Sequence, residues 1–238
     1  MLNPDAQFRR RALFASLGAF ALALIIWNIP QLNFLLYPIR LFVTFVHESG
    51  HGLAAIASGG SLNGFQVFAN GTGVATTSGG NIVLILPAGY IGAAIFGALL
   101  FYLANTLPYP RTIAVVLGII LAVITLFYTL SAPVAFVVGG VSSALLILLG
   151  WRGGRGLNLV VLNFLGLTTA LHAVLDLVYL IGASDSRLGA VQNDAAAFSA
   201  AVAPLIPAAV WAALWALLAV AALALAVYYS VLRRLWRS

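Results

Sequence analysis

Two of the three histidines and the only glutamate of this chain stand together in the run His47-Glu48-Ser49-Gly50-His51. On a helix, residues four positions apart lie on one face, so His47 and His51 can present two imidazole nitrogens to one metal ion. Glu48, which follows the first histidine, is then placed to act as a general base toward a water molecule. The spacing therefore predicts a metal site with a base beside it.

An alternative without a metal is that both histidines are structural and bond to backbone carbonyls, with Glu48 paired to Arg40. Arg40 precedes Glu48 by about two helical turns, which makes that ion pair stretched. In a chain with three histidines and one glutamate, a chance match to this spacing is of the order of one in thousands. The pattern therefore favours the metal site.

The composition predicts the class of fold. Hydrophobic residues make up 63% of the 238 residues, charged residues only 7%, and the mean hydropathy is +1.10. A soluble domain of this length cannot bury that much apolar surface, so we expect an all-α polytopic membrane protein. The absence of cysteine excludes a thiol nucleophile and cysteine-ligated zinc. The net charge of +6 comes from arginines that flank apolar segments, so the expected partners are lipid headgroups and not nucleic acid.

Apolar segments long enough to cross a bilayer, at roughly 20 residues each, predict about seven transmembrane helices. They lie at about 12–29, 32–58, 81–104, 111–130, 132–150, 157–181 and 207–232. We divide 111–150 at Pro133, because proline breaks a helix and this stretch is too long for one crossing. If it were one broken crossing, the count would be six and most arginines would lie on one side, as the positive-inside rule prefers. These two counts leave the orientation open.

Residues 59–80 are typical of strands rather than of a helix. Two β-prone runs, 65–68 and 73–77, flank Asn70-Gly71, a dipeptide typical of tight hairpin turns. A hairpin beside a membrane active site can hold an unwound substrate by strand addition, whereas a plain surface hairpin is the alternative. The residues expected to clamp the substrate are Phe65, Val67, Val74 and Thr76.

A catalytic zinc needs a third protein ligand and an open position for water. Asp176 is the only other acid within an apolar span, where an unpaired carboxylate costs of the order of several kcal/mol and so requires a cation. We therefore predict that Asp176 completes one zinc site per chain. His172, one turn earlier, is an alternative ligand or a helper beside the site, and a third ligand other than these two stays open. His51 and Asp176 each lie a few residues before the end of their predicted spans, so they reach a similar depth in the bilayer only if the two helices run parallel. Parallel helices require an odd number of crossings between them, which favours seven spans.

The polar loop expected at 182–206 holds two further acids. Asp194 follows Asn193 and precedes an alanine-rich run, so we interpret it as the cap of a short helix. Asp185, close to Arg187, is interpreted as part of a solvated turn. Arg40 is expected to extend toward lipid headgroups, and the alternative is that it holds a substrate carboxylate.

The chain resembles the site-2 protease family of intramembrane zinc metalloproteases, and specifically its compact bacterial branch without a PDZ domain. The resemblance covers most of residues 35–230. The features that carry it are the HExxH helix (32–58) ending in Ser58-Gly59-Gly60, the hairpin, the run Pro87-Ala88-Gly89-Tyr90-Ile91-Gly92 at the start of the next span, and the late aspartate helix (157–181). The family implies that His47 and His51 are zinc ligands, that Glu48 is the base and that Asp176 is the third ligand.

The chain departs from the family in its third motif, which has Leu-Asp-Gly, often with an asparagine about two turns upstream. Here Leu177 follows Asp176, and Thr168 occupies roughly the position of the asparagine. Help to the developing oxyanion from Thr168 or from His172 is therefore a hypothesis.

These features together predict a single membrane-embedded domain, 1–238, that hydrolyses a peptide bond in a transmembrane or juxtamembrane segment of another membrane protein. Two alternatives are a non-catalytic scaffold or adaptor that keeps the fold, and a metal-ion transporter. The intact Glu48 argues against a scaffold, since a structural site needs no base, and a transporter is expected to show polar residues along a path. The arginine-only, alanine-rich composition indicates a bacterial plasma membrane. The substrate, the trigger and the oligomeric state are not indicated.

Overall fold

The computed structural model describes residues 4–182, 187–188 and 191–233, and most of these are helical. In chain order the elements are α1 (Pro4–Asn28), α2 (Leu36–Ala57), β1 (Ser61–Val67), β2 (Gly73–Ser78), α3 (Ile82–Thr106), α4 (Pro110–Tyr128), α5 (Pro133–Arg152), α6 (Arg155–Gly182), β3 (Arg187–Leu188), β4 (Val191–Gln192), α7 (Asp194–Val202) and α8 (Ala208–Val227). A 3₁₀ segment, Pro30–Leu35, joins α1 to α2, and a π-helical turn, Tyr228–Leu232, continues α8.

Five helices of the described part are long and apolar enough to cross a membrane, namely α3, α4, α5, α6 and α8 with its π-helical extension. The predicted division of 111–150 is confirmed, because α4 ends at Tyr128 and Pro133 stands in the first turn of α5. Helices α1 and α2 are not among these five, so the count of seven crossings stays a prediction. The chain is an integral membrane protein with a small β-hairpin.

Helices α3 and α6 approach each other through small residues. A Cβ on Gly97 would overlap the backbone of α6 at Gly166, and a Cβ on Gly166 would overlap the backbone of α3. Such stripes of small residues let membrane helices pack at close range. Nearby, the buried Asn105 donates a hydrogen bond of 2.5 Å from Nδ2 to Oδ1 of Asn163. This contact fixes the register of two helices that both line the site described below.

The hairpin predicted at 59–80 is present, with β1 antiparallel to β2. Its turn contains Asn70 and Gly71, and Gly71 has a φ of +87°, a left-handed conformation that favours glycine. On the other side, Phe65 of β1 packs edge-on against Phe45 of α2, with ring centroids 4.9 Å apart and both rings buried. This packing holds the apolar side of the hairpin against α2.

The stretch expected to be a polar loop, 182–206, is regular where the structure describes it. Strands β3 and β4 pair, and α7 follows. The short helix predicted here is confirmed, but its cap is Asn193, whose Oδ1 accepts from the N–H of Ala196 at 3.0 Å. The interpretation of Asp194 as the cap is therefore wrong, because the side-chain oxygen of the preceding residue, Asn193, already accepts from an N–H of the first turn. Asp185 lies outside the described residues.

Helix α7 is held against α8 by one aromatic side chain. The buried ring of Phe198 packs against Trp211 and Trp215, with ring centroids 4.7 and 5.5 Å apart. Aromatic contacts of this kind add to the apolar area that they bury. The contact anchors the nine-residue helix α7 on α8.

Candidate active site

Three ligand atoms from α2 and α7 lie close together. His47 Nε2 is 3.1 Å from Asp194 Oδ2, His51 Nε2 is 3.3 Å from the same oxygen, and the two Nε2 atoms are 3.0 Å apart. A tetrahedral zinc with bonds near 2.0–2.1 Å separates its ligand atoms by about 3.3 Å, so this triangle fits three ligands of one ion. Two imidazoles and one carboxylate are also a donor set that catalytic zinc sites use, with a fourth position open.

Helix α3 frames the two imidazole rings. His51 Nδ1 donates to the backbone carbonyl of Ile85 at 2.7 Å, which turns Nε2 of the same ring toward the ligand group. The ring of His47 packs edge-on against Tyr90, with centroids 4.4 Å apart. Gly89 lies directly against both imidazoles, and a Cβ at this position would overlap the two rings. The start of α3 therefore sets the orientation of both predicted histidine ligands.

The carboxyl of Asp194 is mostly buried, with 20% of its side chain exposed. Burial alone would raise its pKa, but the positive charge of His51 and the hydrogen bonds with both histidines outweigh burial, so the pKa of Asp194 lies well below its ordinary value. The carboxylate is therefore ionised at neutral pH, which is the form that a metal ligand requires.

Glu48 lies beside this group without belonging to it. Its side chain is buried, it lines the same cavity, and the backbone of Ala75 in β2 hydrogen-bonds it. Gly73 provides the space, because a Cβ there would overlap Glu48 Oε1. Within the described residues Glu48 forms no ion pair with Arg40, whose Nη2 instead donates to the backbone carbonyl of Asn70 at 2.7 Å. The alternative without a metal, in which Arg40 pairs with Glu48, is therefore not supported by this contact.

The structure does not bring Asp176 into the ligand group. Asp176 lines the cavity on its α6 wall, within electrostatic reach of His47, His172 and Arg40. The carboxylate that meets both histidines is that of Asp194, on the short helix α7 within the polar stretch 182–206. The cavity therefore contains two carboxylates on different walls.

The two expected helpers differ in position. His172 lines the cavity, and its Nδ1 donates to the backbone carbonyl of Thr168 at 3.1 Å. Thr168 itself is fully buried and is not among the residues that line the cavity; its hydroxyl donates to the carbonyl of Phe164 at 2.6 Å. The geometry therefore leaves His172, but not Thr168, facing the space beside the metal group.

The cavity has a volume of about 760 Å³, within the range of ligand-binding sites. Of the four residues expected to clamp a substrate, Val74 lines it, Thr76 is exposed outside it, and Phe65 and Val67 are buried in the core. Three small residues of β2 that were not expected from the sequence also line the cavity, namely Gly73, Ala75 and Thr77.

The chain matches one known protein family, described as Peptidase M50B-like, over residues 17–226. No curated protein and no solved structure matches the chain. The matched region includes α2 with its histidines, the hairpin, α6 and α7, so all the residues described above fall within it. Because the match covers most of the chain, the resemblance noted from the HExxH run is confirmed, and the chain belongs to the Peptidase M50B-like family of site-2 proteases.

Proposed function

We propose that the protein is an intramembrane zinc metalloprotease with one zinc per chain, and that it hydrolyses a peptide bond of a membrane-embedded substrate. The observation that carries the proposal is the meeting of His47, His51 and Asp194 beside the buried Glu48, in a cavity between apolar helices. A structural zinc site uses four protein ligands, whereas three ligands with a base nearby are typical of hydrolytic sites. Membership of a peptidase family supports the same reaction class.

The residues of the chain have separate tasks in this reaction. Zinc, when bound, makes a water molecule acidic enough to attack at neutral pH and polarises the peptide carbonyl. Glu48 accepts the proton of the attacking water and then delivers it to the leaving amine. His47, His51 and Asp194 hold the ion, and the carbonyl of Ile85 keeps the ring of His51 in the orientation that this requires.

The edge of β2 supports binding of an extended substrate. The backbone of Ala75 hydrogen-bonds Glu48, so at this residue the N–H and C=O groups of β2 point away from β1 and toward the cavity, which Ala75 lines. A transmembrane helix satisfies its own amides and must unwind before one of its peptide bonds can be cut. We propose that the unwound transmembrane or juxtamembrane segment adds to this edge as a strand. The expected setting is the lipid bilayer of a bacterial plasma membrane.

Removal of the metal is the experiment that tests the proposed function. We expect detergent-purified protein to cut transmembrane peptides, and we expect dialysis against a chelator to slow cleavage at least about 10³-fold, because Glu48 without the metal cannot bring the pKa of water toward neutrality or polarise the peptide carbonyl. Mass spectrometry of the products measures the rate before dialysis, after it, and after Zn²⁺ is returned. Cleavage that persists in protein proven to be metal-free would contradict the proposal. Zinc binding without any cleavage would favour a scaffold, and zinc flux into proteoliposomes would favour a transporter.

A further inference from the structure

Three polar side chains of α2 hold the turn of the hairpin, in addition to the HExxH residues on the same helix. The hydroxyl of Tyr37, Nη2 of Arg40 and the hydroxyl of Thr44 each donate to a backbone carbonyl of the turn, at 2.7, 2.7 and 2.8 Å. The acceptors belong to three consecutive residues, 69–71. We refer to Tyr37, Arg40 and Thr44 as the α2 ladder.

The α2 ladder and the two histidine ligands form one stripe along α2. Positions 37, 40, 44, 47 and 51 are separated alternately by three and four residues, the spacing that places side chains along one face of a helix. The N-terminal part of this stripe, positions 37, 40 and 44, binds the hairpin turn, and the C-terminal part, positions 47 and 51, carries the metal ligands. A single rigid helix therefore sets both positions.

The turn that the ladder holds leads directly into the strand that touches the base. Gly73, two residues after the turn, is so close to Glu48 Oε1 and to the methyl group of Thr44 that a Cβ would overlap both. Two residues further, Ala75 hydrogen-bonds Glu48. At the other end of the hairpin, Gly59 and Gly79 adopt left-handed φ values of +86° and +68°. The contacts near the turn therefore define where β2 passes the base.

We propose that Tyr37, Arg40 and Thr44 are positioning residues, which fix the distance between Glu48 and the edge of β2. The catalytic consequence of this positioning rests on the proposed function. In that reaction, the helix that carries the base also sets the register of a substrate strand on β2. Proton transfer requires hydrogen-bond distances, and a displacement of about 1 Å can slow a reaction about 10²-fold. The ladder itself takes no part in the chemistry.

The double variant Tyr37→Phe/Thr44→Val tests this proposal, because it removes two hydrogen bonds to the turn and keeps the size of both side chains. We expect backbone amides of β2 to exchange with solvent about tenfold faster or more. We also expect kcat for a transmembrane peptide to fall about 10- to 100-fold, with the zinc content unchanged. Thr44→Ser, combined with native Tyr37, keeps every donor and should restore both readouts.

The matched control is Tyr109→Phe/Thr106→Val, which makes the same chemical changes far along the chain from the hairpin. Tyr109 is largely exposed, and the hydroxyl of Thr106 donates to the carbonyl of Tyr102 in its own helix. We expect this control to change neither amide exchange in β2 nor kcat. Unchanged exchange in β2 of the Tyr37→Phe/Thr44→Val protein would overturn the proposal. If the wild type binds zinc but cuts no peptide, the proposed function fails, whereas the exchange data still decide whether the ladder positions β2.

Discussion

Replacement of Glu48 by glutamine is expected to slow peptide hydrolysis at least about 10²- to 10⁴-fold while one zinc per chain is retained. Glutamine has nearly the shape of glutamate but cannot accept the proton of the attacking water. Its side-chain oxygen can still accept the hydrogen bond from the backbone of Ala75, so β2 is expected to keep its place. Single-turnover cleavage of a transmembrane peptide and zinc analysis of the same sample measure the two effects separately.

Ser49→Ala provides the control for this variant. Ser49 is the next residue of α2, is also buried, and donates to the carbonyl of Phe45 at 2.7 Å within the helix. We expect it to retain the rate of the wild type within a few-fold, because its hydroxyl bonds only the backbone of its own helix turn in the described contacts. A Glu48→Gln protein that cuts as fast as Ser49→Ala would show that Glu48 is not the base.

A single methyl group at Gly89 is expected to lower the affinity for zinc by at least about 100-fold and cleavage with it. The added Cβ of Gly89→Ala would overlap the rings of His47 and His51, so at least one imidazole must rotate away from the ligand group. A shift of the α3 backbone away from α2 would disturb a second close contact, because α3 also packs against α6 at Gly97 and Gly166. Competition with a chromophoric chelator measures the affinity.

Gly92→Ala, one turn later on the same helix, separates this effect from a general loss of helix packing. Its Cβ would meet Gly50 Cα at 3.6 Å, an ordinary van der Waals distance. We expect the Gly92→Ala protein to bind zinc as the wild type does. If Gly89→Ala also binds zinc with the affinity of the wild type, the placement of α3 against the two imidazoles is wrong.

Several features were predictable because they depend on residues close together in the chain. The i and i+4 spacing of His47 and His51 fixes their common face on any helix. Pro133 ends the possibility of one continuous helix over 111–150, and Asn70-Gly71 supplies the turn between two β-prone runs. Each of these predictions required only local geometry, and the structure contains each of these elements.

The third member of the ligand group was not predictable in the same way. The cost of a carboxylate in an apolar span favoured Asp176, but the cost of burial does not say which acid reaches the histidines. Asp194 reaches them because the chain folds back after α6, and because Phe198 anchors α7 on α8. The only local signal was Asn193, which can cap α7 and so leaves the neighbouring carboxylate available for another role.

The assignment of clamp residues required the pairing of the strands. Phe65 and Val67 are on the side of β1 that faces the core, next to an irregularity in register between Leu62 and Gly64. An irregularity of this kind changes which side chains face the core, and a sequence does not show where it lies. The cavity is consequently lined by Val74 and the small residues of β2, whereas Phe65 and Val67 of β1 are buried in the core.

The zinc content of three purified proteins tests the central claim most directly: the wild type, Asp194→Ala and Asp176→Ala. If His47, His51 and Asp194 hold the ion, the wild type and Asp176→Ala will each contain one zinc per chain, and Asp194→Ala will have lost it. Loss of zinc in Asp176→Ala with retention in Asp194→Ala would contradict the ligand group described here and favour the helix α6 carboxylate instead. A wild-type protein without zinc would contradict the metalloprotease altogether.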